Sequence, residues 1–437
     1  MGSDAAVSSV VRCTEPEALA NLSAVLQLCA AGKLRCSATT RRPSAATVRV
    51  VADALVAGDF HLDEPIAAFA WPLLLQAGGL ARLDGTRLTL TPPGRKATAR
   101  PGHEVIRGLW ERWPRHAPLD ELSRVEQIKG QRSAAALSAA GPRRHIVAAA
   151  LALCPPDEWI VVDELFARMR GAGMSPTVAR SERGLWKLYL GDPEYGSLGY
   201  DGYHDWAILE GRYTLAVLFE YAATLGLLDV DLVAPAHARD DFRHMWGADR
   251  IDALSRYDGL LAVRRTPLGP YAAGASPTYV PAPPAARRTL QVLANLDVVA
   301  TDITQADRIV LDAFATRTSD QVWTLSVASL MAAVDAGRTS GELAAFLDER
   351  AVHGVPSTVS GLLADVEGRV GQVRDLGLAR VIECADAAVA TLLARDRTMR
   401  GLCSRIGDRH LLLDPAGEPK ARVALRKLGY PVGPATQ

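Results

Sequence analysis

The Asp-Gly pair at residues 84–85 places the strongest constraint on how this chain folds. In residues 80–91, LARLDGTRLTLT, the pair Asp84-Gly85 separates two short runs in which apolar and polar residues alternate. Glycine adopts positive φ without strain, so the pair predicts a tight turn between two strands. One face of this hairpin is expected to be apolar and the other polar. The apolar positions are Leu83, Leu88 and Leu90, and the polar positions are Arg82, Arg87 and Thr89.

Three helical segments are predicted before the hairpin. Apolar residues recur at helical spacing over 15–31, a second helix is predicted over 44–56 with Ser44 as its N-cap, and a third runs from Pro65 to Gly78-Gly79. Three helices followed by a hairpin is the order of a winged helix-turn-helix. Residues 1–101 are therefore predicted to be a winged-helix DNA-binding module, with the hairpin as its wing.

A similar arrangement is predicted further along the chain. A helix over 212–228 includes Gly226, and the tetrapeptide Thr-Pro-Leu-Gly at 266–269 matches Thr-Pro-Pro-Gly at 91–94 after the first hairpin. Residues 102–274 are therefore interpreted as a central helical unit that ends in a second winged-helix-like wing. The stretch 275–288 is proline-rich and is predicted to be a linker, because proline interrupts helices and central strands.

The remaining residues, 289–437, show a mixture of short strands and helices. A strand is predicted over 290–299 and a strand pair near 370–373 and 379–383. Helices are predicted over 306–316, 327–336, 340–350, 357–368 and 420–428.

The segment from about 287 to 432 resembles the helicase-associated domain of the XPB/Ssl2 family, which also occurs in bacterial proteins that lack the helicase motor. The stretches that carry the resemblance are 290–299, 325–330, 336–347, 355–363 and 371–374. In that family the domain follows a winged helix whose wing ends in Thr-Pro-x-Gly, as 266–269 does here. The resemblance implies association with duplex DNA or with a helicase, and it carries over no catalytic residue. The expected fold is α+β and mainly helical, with tandem winged-helix modules followed by a helicase-associated α+β domain.

Basic residues of the first module form the candidate DNA site. No acidic residue lies between Glu17 and Asp53, and hydroxyl residues alternate with cations there. Cations and hydroxyls near a helix start suit phosphate binding. Because the formal net charge is zero, any DNA contact must come from such a local patch. The predicted DNA-binding residues are Lys33, Arg35, Arg41, Arg42, Ser44, Arg49, Arg82 and Arg87. A solvated basic face, or a surface for an acidic protein, is the alternative interpretation.

No motif for catalysis is found in the sequence. The only Gly-Lys pair, Gly32-Lys33, lacks both the upstream glycine and the following Ser or Thr of a nucleotide-binding loop. The six cysteines are scattered and form no metal-binding or nucleophile signature. We therefore expect a protein that is not an enzyme, with no catalytic, cofactor-binding or metal residues and no cofactor.

The sequence thus predicts a non-catalytic DNA-binding accessory protein that acts on duplex or forked DNA. The expected partner is a helicase or nuclease in DNA repair, recombination or phage defence. Neither a secretory signal nor a membrane-spanning run is present, so a cytoplasmic location without a membrane partner is expected. Two alternatives stay open. One is a metal-dependent nuclease that uses His237, Asp241 and His244, on the expectation that they share a helix, and the other is a protein-only scaffold that docks a partner enzyme.

Overall fold

The computed structural model describes residues 9–132, 136–191, 197–199, 204–280, 288–301, 303–373, 379–413 and 415–433. These residues form a mainly helical α+β protein, which confirms the predicted class. The chain divides into two compact units, Met1–Gly368 and Arg369–Gln437. The described residues build two apolar cores in the first unit and one in the second. None of the helices in these ranges is both long enough and apolar enough to cross a membrane.

The predicted helices and hairpin are present in the first hundred residues. Ser44 caps the second helix as predicted, because its side-chain oxygen accepts a hydrogen bond from the backbone N–H of Thr47 (3.2 Å). Gly85 has φ +58° in the hairpin turn. The elements are β1 (Val10–Arg12), α1 (Thr14–Ala30), α2 (Ala45–Ala52), α3 (Ala67–Ala77), β2 (Ala81–Asp84), β3 (Arg87–Leu90) and α4 (Pro92–Ala97).

Helix α3 is a core element. Its sequence, AAFAWPLLLQA, has no charged residue, and every position except Gln76 is buried. A helix that is apolar all round has no solvent face to offer. The third helix of the module therefore offers no more than the Gln76 side chain to a partner at the surface.

The central part of the chain is organised around one long buried helix. This central helix (residues 207–223) joins a π-helical stretch, Ala207–Gly211, to α9 (Arg212–Ala216) and a second π-helical stretch, Val217–Ala223. Every residue from Ile208 onward is buried. The other elements are α5 (Gly102–His116), β4 (Ile128–Lys129), α6 (Ala140–Ala150), β5 (Trp159–Val161), α7 (Val162–Gly171), α8 (Glu182–Leu185), β6 (Tyr189–Leu190), β7 (Leu228–Leu232), β8 (Leu260–Arg265) and α10 (Leu268–Ala272).

The two Thr-Pro-x-Gly segments make the same contacts. The hydroxyl of Thr91 donates to the carbonyl oxygen of Gly79 (2.7 Å), and the hydroxyl of Thr266 donates to that of Gly226 (2.7 Å). Each segment follows the second strand of an antiparallel pair and leads into a short helix, α4 or α10. The similarity seen in the sequence is therefore also a similarity of local structure.

Gly94 is required by the close approach of this segment to the strand before it. A Cβ atom at Gly94 would lie 1.9 Å from the carbonyl oxygen of Leu80, whereas one at Gly108 in α5 would meet nothing within 4 Å. Gly94→Ala is therefore expected to lower the free energy of unfolding by about 2–3 kcal/mol. The matched Gly108→Ala variant should be neutral or more stable by up to about 1 kcal/mol. Urea unfolding measures both values, and equal stability of the two variants would contradict this reading of the turn.

The central helix and α3 pack against each other. The contact involves the second π-helical stretch, and the neighbouring rings of Phe60 and Phe219 lie 4.9 Å apart. One apolar core consequently includes residues from Ala18 to Ala272, and Ile309 also belongs to it. Next to it, β1, β7, β8 and β5 form an antiparallel sheet in that order. The predicted boundaries at residues 101 and 274 stay predictions.

The first residues of the predicted linker are packed rather than extended into solvent. The Tyr279 hydroxyl donates to Glu15 (2.7 Å), and the Tyr279 ring lies 5.1 Å from that of His103 and 5.7 Å from that of Tyr271. Residues 281–287 of the predicted linker lie outside the described residues.

Residues 288–368 form a four-stranded sheet with helices, in the strand order β11-β12-β10-β9. The single strand predicted over 290–299 is wrong, because the chain turns at Leu296 (φ +72°) and the N–H of Leu293 donates to the carbonyl oxygen of Asp297 (2.8 Å). The second hairpin, β11–β12, was not predicted from the sequence. The elements are β9 (Leu290–Val292), β10 (Asp297–Ala300), α11 (Gln305–Phe314), β11 (Ala315–Ser319), β12 (Val322–Leu325), α12 (Val327–Asp335), α13 (Ser340–Arg350) and α14 (Ser357–Arg369).

The second unit contains a three-stranded antiparallel sheet in the order β13-β15-β14. The predicted strand near 379–383 and the predicted last helix are present. The strand predicted over 370–373 is wrong, since these residues form a turn and a bend. The elements are β13 (Arg380–Glu383), α15 (Ala387–Arg395), β14 (Cys403–Ile406), β15 (His410–Leu413) and α16 (Glu418–Lys427).

Candidate nucleic-acid interface

The basic stretch before α2 pairs with the hairpin. The backbone N–H of Cys36 donates to the carbonyl oxygen of Thr86 (2.8 Å), and this pairing sets Arg35 opposite Arg87. Directly opposed residues of paired strands have side chains on the same face. The two arginines, which are far apart in sequence, therefore stand side by side.

The hairpin has an apolar and a polar face, as predicted. Its register pairs Arg82 with Thr89 and Leu83 with Leu88. Leu88 is buried in the core, whereas Arg82 and Arg87 are exposed. We call the exposed arginines of the outer face, Arg35, Arg82 and Arg87, the basic face.

The basic face carries more positive than negative charge. Asp84 lies opposite Arg87 in the register, but in the described part of the chain none of the three arginines of the basic face forms an ion pair. Cations without a close acidic partner leave a positive local potential that attracts a polyanion.

The start of α2 is tied to the basic face. The hydroxyl of Thr47 accepts a hydrogen bond from the N–H of Arg35 (2.7 Å) and donates one to the carbonyl oxygen of Arg35 (2.8 Å). The first turn of α2 is thereby held beside the hairpin. Four more of the predicted site residues are exposed in this region, namely Lys33, Arg41, Ser44 and Arg49.

Arg42 differs from the other predicted site residues. Its guanidinium donates to the hydroxyl of Ser123 (2.9 Å) and to the Ser123 carbonyl oxygen (3.4 Å), and its side chain is half-buried. Arg42 therefore connects the first module to the central part of the chain, and less of it faces solvent than the sequence led us to expect.

The segment with His237, Asp241 and His244 is not a helix. Residues 237–244 contain turns but no helical residue, and His237 has φ +61°. The expectation that these side chains share one helix face is therefore wrong. Burial disfavours the charged form of Asp241, but hydrogen bonds from Arg212 (2.5 and 2.6 Å) outweigh this and lower its pKa. Within the described ranges, no three His, Cys, Asp or Glu side chains are placed to hold a metal ion.

Arg212 instead organises a buried ionic network. It also donates to both carboxylate oxygens of Asp258 (3.1 Å each), and both of these side chains have no exposed surface. Arg212 thus pairs with two carboxylates of the segment between β7 and β8, those of Asp241 and Asp258. The network holds the segment between β7 and β8 against the central helix.

A comparison with protein families gives a match in the C-terminal region. A family model described as a helicase conserved C-terminal domain matches residues 284–406. The matched stretch is less than a third of the chain and includes β9 to α14 in the first unit and β13 to β14 in the second. A comparison with curated protein sequences finds no significant match. The family match supports a helicase-associated domain in the region where the sequence predicted one.

Proposed function

We propose that this chain is a non-catalytic DNA-binding protein that acts beside a helicase or nuclease. The observation that carries the proposal is the basic face next to the start of α2, in a chain whose C-terminal region matches a helicase domain. The proposed type is a tandem winged-helix protein similar to the members of the XPB/Ssl2 family that lack the motor. Its proposed setting is DNA repair, recombination or phage defence.

The proposed mode of binding follows from the burial of α3. A winged helix-turn-helix commonly places its recognition helix in the major groove, but α3 is enclosed in the core. The DNA contact is therefore assigned to the hairpin and to the loop before α2. Arginine contacts to phosphate position a protein on DNA without reading its bases, so we propose binding to duplex or forked DNA with little sequence preference.

A mobility-shift experiment at low salt tests this proposal. Duplex and forked DNA of two unrelated sequences should be retarded, with affinities that agree within about threefold between sequences, because phosphate contacts dominate. Absence of retardation would contradict the proposal and favour a protein-only scaffold. Cleavage of the DNA after addition of Mg²⁺ or Mn²⁺ would favour the metal-dependent nuclease instead.

A further inference from the structure

A cleft of about 680 Å³ lies within the first unit, beside the proposed DNA contact, and of the basic face only Arg87 lines it. One wall comes from α1, β3 and α4, and the other from α11, the turn after α12, and α13. Its volume falls within the range of about 300–1,000 Å³ that is typical of small-molecule sites. The residues that line it divide into a polar floor, a basic rim and an apolar wall.

The floor holds two buried polar atoms without partners. Glu342 accepts hydrogen bonds from Arg338 (2.7 and 2.9 Å) and from Gln27 (2.9 Å). The Arg338 side chain is 6% exposed, yet its Nη1 atom and the Oε1 atom of Gln27 find no hydrogen-bond partner among the described residues. An unpaired buried polar group costs roughly 1–3 kcal/mol. A ligand that brings an acceptor and a donor to this floor would recover that free energy.

The rim has an excess of positive charge. The cleft is lined by four arginines and three acidic residues, so one positive charge is in excess. Arg350 pairs with both Asp307 and Glu349, and Arg338 pairs with Glu342. Arg87 and Arg95 on the opposite wall have no acidic partner in the described ranges, and both are exposed. Two uncompensated arginines are a suitable site for a phosphate group.

The remaining wall is apolar, with contributions from Leu90, Val310, Ala345 and Phe346. A cationic rim, an apolar wall and a floor with a free donor and a free acceptor together match a nucleotide, whose base edge offers both kinds of group. We propose that the cleft binds a nucleotide, with its phosphate at Arg87 and Arg95 and its base directed to Gln27 and Arg338. The nucleotide is either free or part of a single DNA strand. Binding of a DNA strand rests on the proposed function, whereas binding of a free nucleotide does not.

The test fills the cleft without changing its charge. Ala345 is exposed and lines the cleft, whereas Ala328 is exposed on α12 and does not line it, so Ala345→Trp and Ala328→Trp are a matched pair. Binding of a short fluorescein-labelled oligothymidylate is measured by fluorescence anisotropy. Thymidine monophosphate is added as a competitor for the oligothymidylate. Binding of a labelled blunt-ended duplex is measured in a parallel titration. Ala345→Trp should weaken single-strand binding at least about tenfold, whereas Ala328→Trp should bind like the parent.

The experiment distinguishes a free nucleotide from a nucleotide within a DNA strand, and it distinguishes failure of the cleft proposal from failure of the proposed function. Competition by thymidine monophosphate identifies a site for free nucleotide, and binding of the oligonucleotide without such competition identifies a strand. Arg95→Ala replaces an exposed side chain, and it should reduce binding of the same ligands if Ala345→Trp fails to fold. The cleft proposal is overturned if the parent binds neither the oligothymidylate nor thymidine monophosphate. It is also overturned if Arg95→Ala and a folded Ala345→Trp variant bind these ligands like the parent. Failure of the duplex alone to bind would overturn the proposed function and leave the cleft supported.

Discussion

Arg212→Ala is expected to lower the free energy of unfolding by roughly 3–5 kcal/mol, one of the largest effects of any single substitution in this chain. Arg212 has no exposed side-chain surface and pairs with Asp258, which has none either. Removing the guanidinium leaves the Asp258 carboxylate buried without its cation, with only the hydrogen bonds from the Leu254 N–H and the Ser255 hydroxyl remaining. The loss of the charge partner, more than the loss of side-chain contacts, causes the instability.

The order of related variants tests this explanation. Asp258→Asn should cost more than Asp241→Asn, because Asp241 retains 20% exposure and Asp258 has none. Arg100→Ala is the surface control, since Arg100 is 55% exposed in an i,i+4 pair with Glu104, and it should change stability by less than about 1 kcal/mol. Guanidinium unfolding of the parent and the four variants gives the values. A cost for Arg212→Ala as small as that of Arg100→Ala would contradict the network.

The second large effect concerns DNA. A triple variant of the basic face, Arg35→Ala, Arg82→Ala and Arg87→Ala, is expected to weaken duplex binding roughly 100-fold at low salt, because each lost phosphate contact removes its share of counterion release. The three side chains are exposed, so the fold should be kept. Anisotropy titration of a labelled duplex measures the change.

The control for the triple variant removes the same charge elsewhere. Arg100, Arg107 and Arg168 are solvent-accessible, and each pairs with a glutamate four residues away in the sequence. Their combined replacement by alanine should change duplex affinity by less than about threefold at matched salt. If the control and the triple variant weaken binding equally, then overall charge, rather than the basic face, determines the affinity.

The local elements of the first module were predictable because their signals are local. Ser44 caps α2, and Gly85 forms the turn that its Asp-Gly context indicates. The hairpin at 290–300 was missed for the opposite reason, since Leu296 turns the chain with positive φ although it is neither glycine nor asparagine. An apolar run such as 290–299 shows no periodicity by which a turn inside it can be recognised.

The candidate site was only partly predictable from the sequence. Its composition was visible in the acid-free stretch, but the position of Arg35 beside Arg87 depends on strand pairing between distant segments. Arg42 is half-buried against Ser123, and α3 packs against the central helix. Both contacts depend on packing between the first hundred residues and the central part of the chain. Gln27 and Arg338, at the floor of the cleft, lie in separate elements and share no motif.

The most direct test of the central claim, that the basic face contacts DNA phosphates, is the salt dependence of duplex binding. The logarithm of the binding constant is measured against the logarithm of the salt concentration for the parent, the triple variant and the control variant. Each phosphate contact contributes about −0.9 to the slope, so the triple variant should have a slope shallower by about 3 while the control keeps the slope of the parent. Identical slopes for the parent and the triple variant would contradict the account.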